Sequence, residues 1–328
     1  MKLWWALPLM LLCGAESAMA DNKNPVSLDW LKTMAFAAHQ TNYSGTFIYQ
    51  HGSHVETSRI THIVDQNGEH EKLESLDGPH REIIRNNDQV FCSVDGHKPV
   101  LLSYRHRDRS FPALLPEQLN ALKANYAILS GPRGRVAGFG AQTILFQPKD
   151  NLRYAHKFWA NTDSGLLLKA TVLNARHQVV EQYAFTELHI GGDLKPDWVV
   201  PDQAETVSLA KQENLSPLPK AGEQITSSGW QVDAMPRGFK KIMEIRRPMH
   251  GRKSPVLHMV FSDGLAGISV FIENKSNDPD DDDNPSLTSQ GAIQVYRKVV
   301  GDHLVTVVGE VPPRTVMQVA DSVRYAGN

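Results

Sequence analysis

Seven basic residues within seventeen positions form the group whose chemistry is clearest in this sequence. They are Arg237, Lys240, Lys241, Arg246, Arg247, Arg252 and Lys253. Only Glu244 opposes them in that stretch. Arginine presents a planar fork of donors that suits carboxylates and phosphates. The cluster therefore predicts a surface for an anionic partner, either an acidic peptide or a phosphorylated lipid head group. The alternative interpretation is a solvated strand edge whose charges prevent aggregation.

Motifs that would indicate catalysis are incomplete. Ser208-x-x-Lys211 matches the S-x-x-K of serine acylating enzymes, but the partner K-T-G is missing and Ser262-Asp263-Gly264 matches S-D-N only in part. The glycines between Gly131 and Gly140 lack the Lys-Ser/Thr of a phosphate-binding loop, and a bulged strand or a mobile hairpin explains them. We therefore predict that the chain is not an enzyme and binds no cofactor.

Metal-binding patterns are also weak. His51-x-x-His54 is predicted at a turn, and His62 and His70 follow on predicted strands, but structural zinc sites usually include sulfur ligands. The acidic run 278–283 does not match a calcium loop, which needs a glycine inside and a glutamate at its end. We expect exposed histidines, a solvated acidic loop and no metal.

The first residues carry the features of an export signal. Lys2 precedes an apolar run from Leu3 to Cys13, and Ala18-Met19-Ala20 suits cleavage before Asp21. Residues 1–20 are thus predicted to be a signal peptide. Cleavage would leave Cys92 without an intramolecular disulfide partner. The formal charge of −2 argues against a general nucleic-acid binder.

The remaining chain predicts an α+β protein that begins with a large antiparallel sheet. Ser27 is a good N-cap for a helix over 28–40, and Pro116–Leu122 predicts a second helix. Many short β-branched and aromatic segments follow Tyr43, separated by turn residues. A strongly curved sheet roofed by these helices would enclose an apolar cavity. The residues expected to line it are Leu31, Met34, Phe47, Leu119, Leu122 and Phe158.

A second, smaller domain is predicted at the carboxyl end. Residues 191–228 are rich in proline and glycine and indicate a linker, with a short helix near 204–212. Residues 229–328 hold several short strands and a final helix at Pro312–Arg324. The predicted domains are therefore residues 21–190 and 229–328.

Segments in both domains resemble the MucB/RseB family of periplasmic sigma-E regulatory proteins. The segments are Leu76–Arg85, Phe158-Trp159 with Leu166–Leu168, Met235–Phe239, Phe261–Leu265 and Val307–Pro313. The resemblance extends over essentially the whole chain. It implies a large domain that is similar to lipoprotein carriers, a half-open barrel closed by helices, and a small antiparallel sheet with one helix.

The resemblance also implies a function in the periplasm. Members of the family are negative regulators that bind the periplasmic segment of a membrane-anchored anti-sigma factor and shield it from site-1 proteolysis. Lipopolysaccharide or lipoprotein acyl chains would relieve the shielding. The alternative function is a periplasmic lipid or lipoprotein carrier. The sequence leaves the oligomeric state open, including a homo-oligomer.

Overall fold

A computed structural model describes residues 25–87, 89–95, 100–104, 110–116, 119–196, 198, 227–249, 254–275 and 284–327. The predicted signal peptide, Ser208 and Lys211, the predicted helix 204–212, the acidic run 278–283, and the pair Arg252 and Lys253 lie outside these residues. Within the described ranges, no helix combines the length and the apolar character that crossing a bilayer requires.

The first helix forms where the sequence predicts it. Helix α1 spans Leu28–Gln40, and the Ser27 side chain accepts a hydrogen bond from the Trp30 backbone N–H at 3.2 Å. Its buried face includes Leu31 and Met34. The N-cap bond satisfies one of the donors that a helix start leaves open, so the local sequence is sufficient to place this boundary.

An eleven-stranded antiparallel sheet makes up the N-terminal domain. Its strands are β1 Tyr43–His51, β2 His54–Asp65, β3 Gly68–Ser75, β4 Arg81–Asn86, β5 Gln89–Val94, β6 Val100–Tyr104, β7 Tyr126–Val136, β8 Phe139–Pro148, β9 Ala155–Asn161, β10 Leu167–Leu173 and β11 Val179–Ile190. The order across the sheet is β6-β5-β4-β3-β2-β1-β11-β10-β9-β8-β7. Two meanders are therefore joined in the middle, where β1 pairs with β11.

This strand order determines what fills the interior of the domain. Strands β6 and β7 follow each other in the chain but form opposite edges of the sheet. The connection between them must therefore pass over a face of the sheet. It contains helix α2, Asn120–Asn125, and it buries Phe111, Leu115, Leu119 and Leu122 against the same core that α1 covers.

The second helix and the glycine-rich segment differ in detail from the prediction. The helix starts at Asn120 rather than Pro116, and Phe111, Leu115 and Leu119 pack into the core outside any helix. Leu119 and Leu122 are nevertheless buried as expected. The glycine-rich segment forms the β7–β8 hairpin, with a bulge between Ser130 and Arg133 that confirms the bulged strand.

The C-terminal domain is a six-stranded antiparallel sheet with one helix. Its strands, in the order β13-β14-β15-β18-β17-β16, are β13 Lys240–Arg247, β14 Val256–Ser262, β15 Gly267–Asn274, β18 His303–Gly309, β17 Ile293–Val300 and β16 Ser286–Gln290. Helix α3, Pro313–Asp321, packs its valines on the sheet. Short strands β12, Trp230–Val232, and β19, Val323–Tyr325, pair the two ends of the domain.

Candidate functional site

A buried carboxylate of the C-terminal domain lies against the N-terminal domain. Asp263 Oδ2 accepts hydrogen bonds from Arg153 Nε at 2.6 Å and from the Tyr126 hydroxyl at 3.0 Å. Its Oδ1 accepts from the backbone N–H groups of Leu265 and Ala266. The Arg153 and Asp263 side chains are 1% and 0% exposed, so this ion pair is shielded from solvent. Burial and the adjacent carboxylate raise the pKa of Tyr126 well above its ordinary value, which keeps it a donor.

Both terminal nitrogens of Arg153 also make hydrogen bonds. Nη1 pairs with the Asp150 carboxylate, and Nη2 donates to the Arg237 carbonyl oxygen in the C-terminal domain. The guanidinium lies 5.0 Å from the centre of the Phe239 ring. Each nitrogen of the guanidinium thus makes a hydrogen bond, and the bond to the Arg237 carbonyl ties the first residue of the predicted basic cluster to the N-terminal domain.

The turn that carries Asp263 also makes an apolar contact. Leu265 belongs to the N-terminal core although it is part of the C-terminal sheet hairpin. Gly264 has φ +101°, and a Cβ there would lie 3.3 Å from a Leu122 methyl group. Glycine is the residue that this backbone and this close approach favour. Two segments that carry the family resemblance, 235–239 and 261–265, thus meet at the junction of the two domains.

A second polar contact joins the domains at another point of the junction. Glu181 of β11 is buried and accepts from the Tyr49 hydroxyl at 3.0 Å and from the Ala292 backbone N–H at 2.9 Å. Thr315 of α3 donates to the Leu152 carbonyl at 3.0 Å. The junction therefore connects the N-terminal domain to the β14–β15 turn, the β16–β17 turn and helix α3 of the C-terminal domain.

The described part of the basic cluster lies on one edge of the C-terminal sheet. Arg237 precedes β13, and Lys240, Lys241 and Arg246 are exposed on that strand. Strand β13 is the first strand in the sheet order. Lys241 also pairs with Glu244, whose carboxylate is buried. The sequence prediction of a basic surface strand is thus confirmed in position, while its role in binding stays a prediction.

Arg247 differs from its exposed neighbours. Its guanidinium lies 5.8 Å from the Phe271 ring centre, and Phe271 stacks on His258 with ring centres 4.2 Å apart. Burial lowers the pKa of Arg247. Its Nε is buried and has no hydrogen-bond partner among the described residues. This arginine is therefore held by packing, and it is a poorer choice for a charge-reversal test than Arg246.

The six residues expected to line an apolar cavity all lie in one packed core. Their exposed fractions run from 0% to 5%, and they are Leu31, Met34, Phe47, Leu119, Leu122 and Phe158. Phe111 fills the space beside them, with its ring centre 5.1 Å from Phe47 and 5.0 Å from Phe185. The sequence prediction overlooked Phe111. An acyl chain in this interior would have to displace that ring, so the role of the six residues in lipid binding stays a prediction.

A buried histidine ties the end of α1 to the sheet. His62 is fully buried, with Nδ1 2.9 Å from the Thr41 carbonyl and Nε2 3.1 Å from Glu69 Oε1. His39 Nδ1 lies 2.8 Å from the same carboxylate oxygen. The expectation of exposed histidines is therefore wrong for His62, which shares one carboxylate oxygen with His39. Burial by itself raises the pKa of Glu69, but the two histidine hydrogen bonds outweigh it and hold that pKa well below its ordinary value.

We expect this lowered pKa to make the N-terminal domain sensitive to acid. The Glu69 contribution is complete above its unfolded pKa of about 4.3 and is lost as pH falls through the lower folded value. A Glu69→Gln variant should therefore lose stability more gradually than wild type between about pH 5 and pH 2. The urea midpoint at each pH measures this. Glu56→Gln is the control, since Glu56 also bonds a histidine, His54, but at the surface. If the urea midpoint fell with pH in parallel for Glu69→Gln and wild type, Glu69 would not be the source of the acid sensitivity.

One group of described residues could approach a metal ion, and it differs from the histidines singled out in the sequence. Glu74, His80 and Glu82 offer ligand atoms within 4.8 Å of one another. Lys72 Nζ lies 3.6 Å from a Glu74 oxygen and 3.3 Å from a Glu82 oxygen. The lysine already neutralises these carboxylates in part, so the group is better explained as a surface ion network.

Comparison with known proteins covers both domains. Residues 27–203 match the family model of the MucB/RseB N-terminal domain, and residues 224–324 match that of the MucB/RseB C-terminal domain. The sigma factor AlgU regulatory protein MucB of Pseudomonas aeruginosa is 30% identical over 321 residues, which cover 96% of each chain. The sigma-E factor regulatory protein RseB of Escherichia coli K12 is 27% identical over 331 residues, covering 99% of this chain and 98% of RseB.

Solved structures show the same fold. The crystal structure of MucB in complex with MucA(peri) superposes with a TM-score of 0.67 at 28% identity, covering 92% of this chain and 99% of MucB. The Pseudomonas aeruginosa MucA/MucB complex gives a TM-score of 0.68 with the same identity and coverage. With both domain models matched along the length of the chain, this protein belongs to the MucB/RseB family.

Proposed function

We propose that this chain is a periplasmic negative regulator of a sigma-E type envelope stress response. It binds the periplasmic segment of a membrane-anchored anti-sigma factor and protects that segment from site-1 proteolysis. The observation that carries the proposal is the two-domain match to MucB, a relative whose structure was solved in complex with MucA(peri). The protein acts by binding and performs no catalysis.

The basic edge of the C-terminal domain supports a charged contact in this complex. Lys240 and Arg246 are exposed near the two ends of β13 and would attract acidic side chains of a partner. Surface charges of this kind govern the rate and the orientation of association more than the final affinity. Arg237, beside the domain junction, would extend the surface toward the N-terminal domain.

The apolar interior supports a second ligand as a relief signal. An acyl chain that replaced Phe111 would enter the same apolar core as Leu122, which contacts the Gly264 turn of the other domain. If lipid and partner favour different arrangements of the junction, each lowers the affinity of the other by the same factor. A protein that only carries lipid would not show this mutual loss of affinity. Carriage requires transfer of the lipid to an acceptor and needs no coupling to a protein partner.

Protection from proteolysis is the direct test. The mature chain is mixed with the partner's periplasmic fragment and the site-1 protease, and cleavage is followed at several salt concentrations. Wild type should slow cleavage, whereas a Lys240→Glu, Arg246→Glu variant should bind about tenfold more weakly at low salt and approach wild type at high salt, where charges are screened.

The control carries the same change of charge elsewhere on the surface. Arg176 and Lys123 are exposed in the N-terminal domain, so an Arg176→Glu, Lys123→Glu variant should protect like wild type. Unchanged cleavage in the presence of wild type would reject the proposed function. If both charge-reversal variants lost protection of the fragment to the same extent, the proposed role of the basic edge in partner binding would be rejected.

A further inference from the structure

We propose that four side chains on the outer face of the N-terminal sheet form a binding site for a phosphate group. They are Lys157 and Trp159 of β9 and Lys169 and Thr171 of β10. The site belongs to a different domain from the basic edge, and it lies on the opposite face of the sheet from the apolar core. The inference stands independently of the proposed regulatory function.

Strand register brings the four residues together. Trp159 faces Lys169, and Lys157 faces Thr171, so they form two adjacent rows across the β9–β10 pair. Phe158, between Lys157 and Trp159 in the chain, points into the core. Because alternate residues of a strand point to opposite faces, the four side chains share the face that lies away from α1 and α2.

Among the residues that the structure describes, the two lysines of this block have no counter-charge. Lys157 Nζ lies 4.9 Å and Lys169 Nζ 5.0 Å from the centre of the Trp159 ring. Across the described residues, neither ammonium has a carboxylate oxygen within 4.0 Å. Like charges on adjacent strands repel each other, and a bound anion would remove the repulsion. Burial, followed by the nearby charge of Lys157, lowers the pKa of Lys169, in agreement with this arrangement.

Thr171 adds an unused hydrogen-bonding group. It is only 3% exposed, and its Oγ1 is buried without a hydrogen-bond partner in the part of the chain that the structure describes. Buried polar atoms nearly always have a partner, so an isolated hydroxyl beside two unpaired lysines indicates a missing acceptor. The hydroxyl and the two ammonium groups are separate observations, and one anion would provide a partner for all of them.

The donor set favours phosphate. Two ammonium groups with three donors each and one hydroxyl suit an anion with several acceptor oxygens in a tetrahedral arrangement. Lysine binds phosphate as a point charge, without the planar match that arginine offers to a carboxylate. The ring of Trp159 provides an amphipathic surface beside the anion, as tryptophan does at the head-group level of membranes. The phosphate could be inorganic or could belong to a phospholipid head group.

The test measures the melting temperature of the mature chain with and without inorganic phosphate, and its binding to vesicles. Wild type should melt at a higher temperature as phosphate is added, and it should bind vesicles of phosphatidylglycerol but not of phosphatidylcholine. Lys157→Gln and Lys169→Gln should each weaken phosphate binding about tenfold, the usual effect of losing a hydrogen bond to a charged group. Binding to phosphatidylglycerol vesicles without any response to inorganic phosphate would identify the head group as the source.

Stability without phosphate separates a binding site from simple packing of lysines on a tryptophan. At low salt and without phosphate, Lys169→Gln should melt no lower than wild type, because it removes a repulsion. Lys298→Gln is the matched control, since Lys298 pairs with Asp321 at 2.7 Å and should respond to phosphate like wild type. The proposal is overturned if Lys169→Gln melts lower while its phosphate response is unchanged, or if wild type responds neither to phosphate nor to phosphatidylglycerol. Stronger binding of a polyglutamate peptide than of phosphate would also overturn it.

Discussion

Replacing Asp263 by alanine is expected to destabilise the chain by about 3–5 kcal/mol, the usual cost of removing one partner from a buried ion pair. The change would leave Arg153 buried without its principal counter-ion, and the Tyr126 hydroxyl without its acceptor. Urea unfolding followed by separate probes in the two domains measures the effect. We expect the domains, which this residue links, to unfold in separate transitions in the variant.

Two further variants make this prediction specific. Asp263→Asn keeps an acceptor for the backbone N–H groups of Leu265 and Ala266 but removes the charge that faces Arg153, so its cost should lie below that of alanine. Asp321→Ala removes an exposed partner of Lys298 and should cost at most about 1 kcal/mol. If Asp263→Ala and Asp321→Ala lowered the free energy of unfolding by similar small amounts, the junction would contribute little to stability.

The second large effect is expected for Phe111→Ala. The Phe111 ring is 4% exposed and contacts Phe47, Tyr183 and Phe185, so its removal should cost about 3–5 kcal/mol. The same change creates an apolar cavity beneath the helices, and such cavities bind apolar molecules. The variant should therefore melt at a lower temperature than wild type and take up more of a fluorescent acyl probe.

A matched control separates a specific cavity from general loosening. Phe261→Ala removes a ring that is 8% exposed in the core of the C-terminal domain. It should lower stability to a comparable degree without increasing the uptake of the acyl probe. If both variants take up the probe equally, partial unfolding explains the binding. The prediction that lipid binds in the N-terminal interior would then be rejected.

Strands were predictable where their apolar residues follow a clear local pattern. Segments 43–50, 89–94 and 166–173 have such a pattern and predict strands, and the structure forms β1, β5 and β10 there. Strand β3 was not predicted, because Gly68–Ser75 is rich in charged residues and contains a single apolar side chain, Leu73. Strand β16 was also not predicted, since Ser286–Gln290 is exposed along its whole length and has no buried face to impose alternation. Pairing with neighbours makes these segments strands, and their own side chains give little indication of it.

The basic edge was the part of the candidate site that composition alone could identify. The junction around Asp263 was not predicted, because Tyr126 and Arg153 lie 137 and 110 positions away in the chain. A sequence signal for it existed in the two short glycine-containing segments, 235–239 and 261–265, that resemble the family. Without the fold, those segments indicate turns and do not show that the turns face another domain.

The sequence by itself determined the helix of residues 28–40, most of the strands, the two-domain division and the basic strand, because each depends on neighbours within a few positions. Only the tertiary structure decided that Phe111 fills the interior. It also decided that an arginine and an aspartate from different domains form one buried pair, and that two lysines lie beside one tryptophan. Those arrangements follow from strand order and register, which bring distant positions together and are set by the packing of the whole chain.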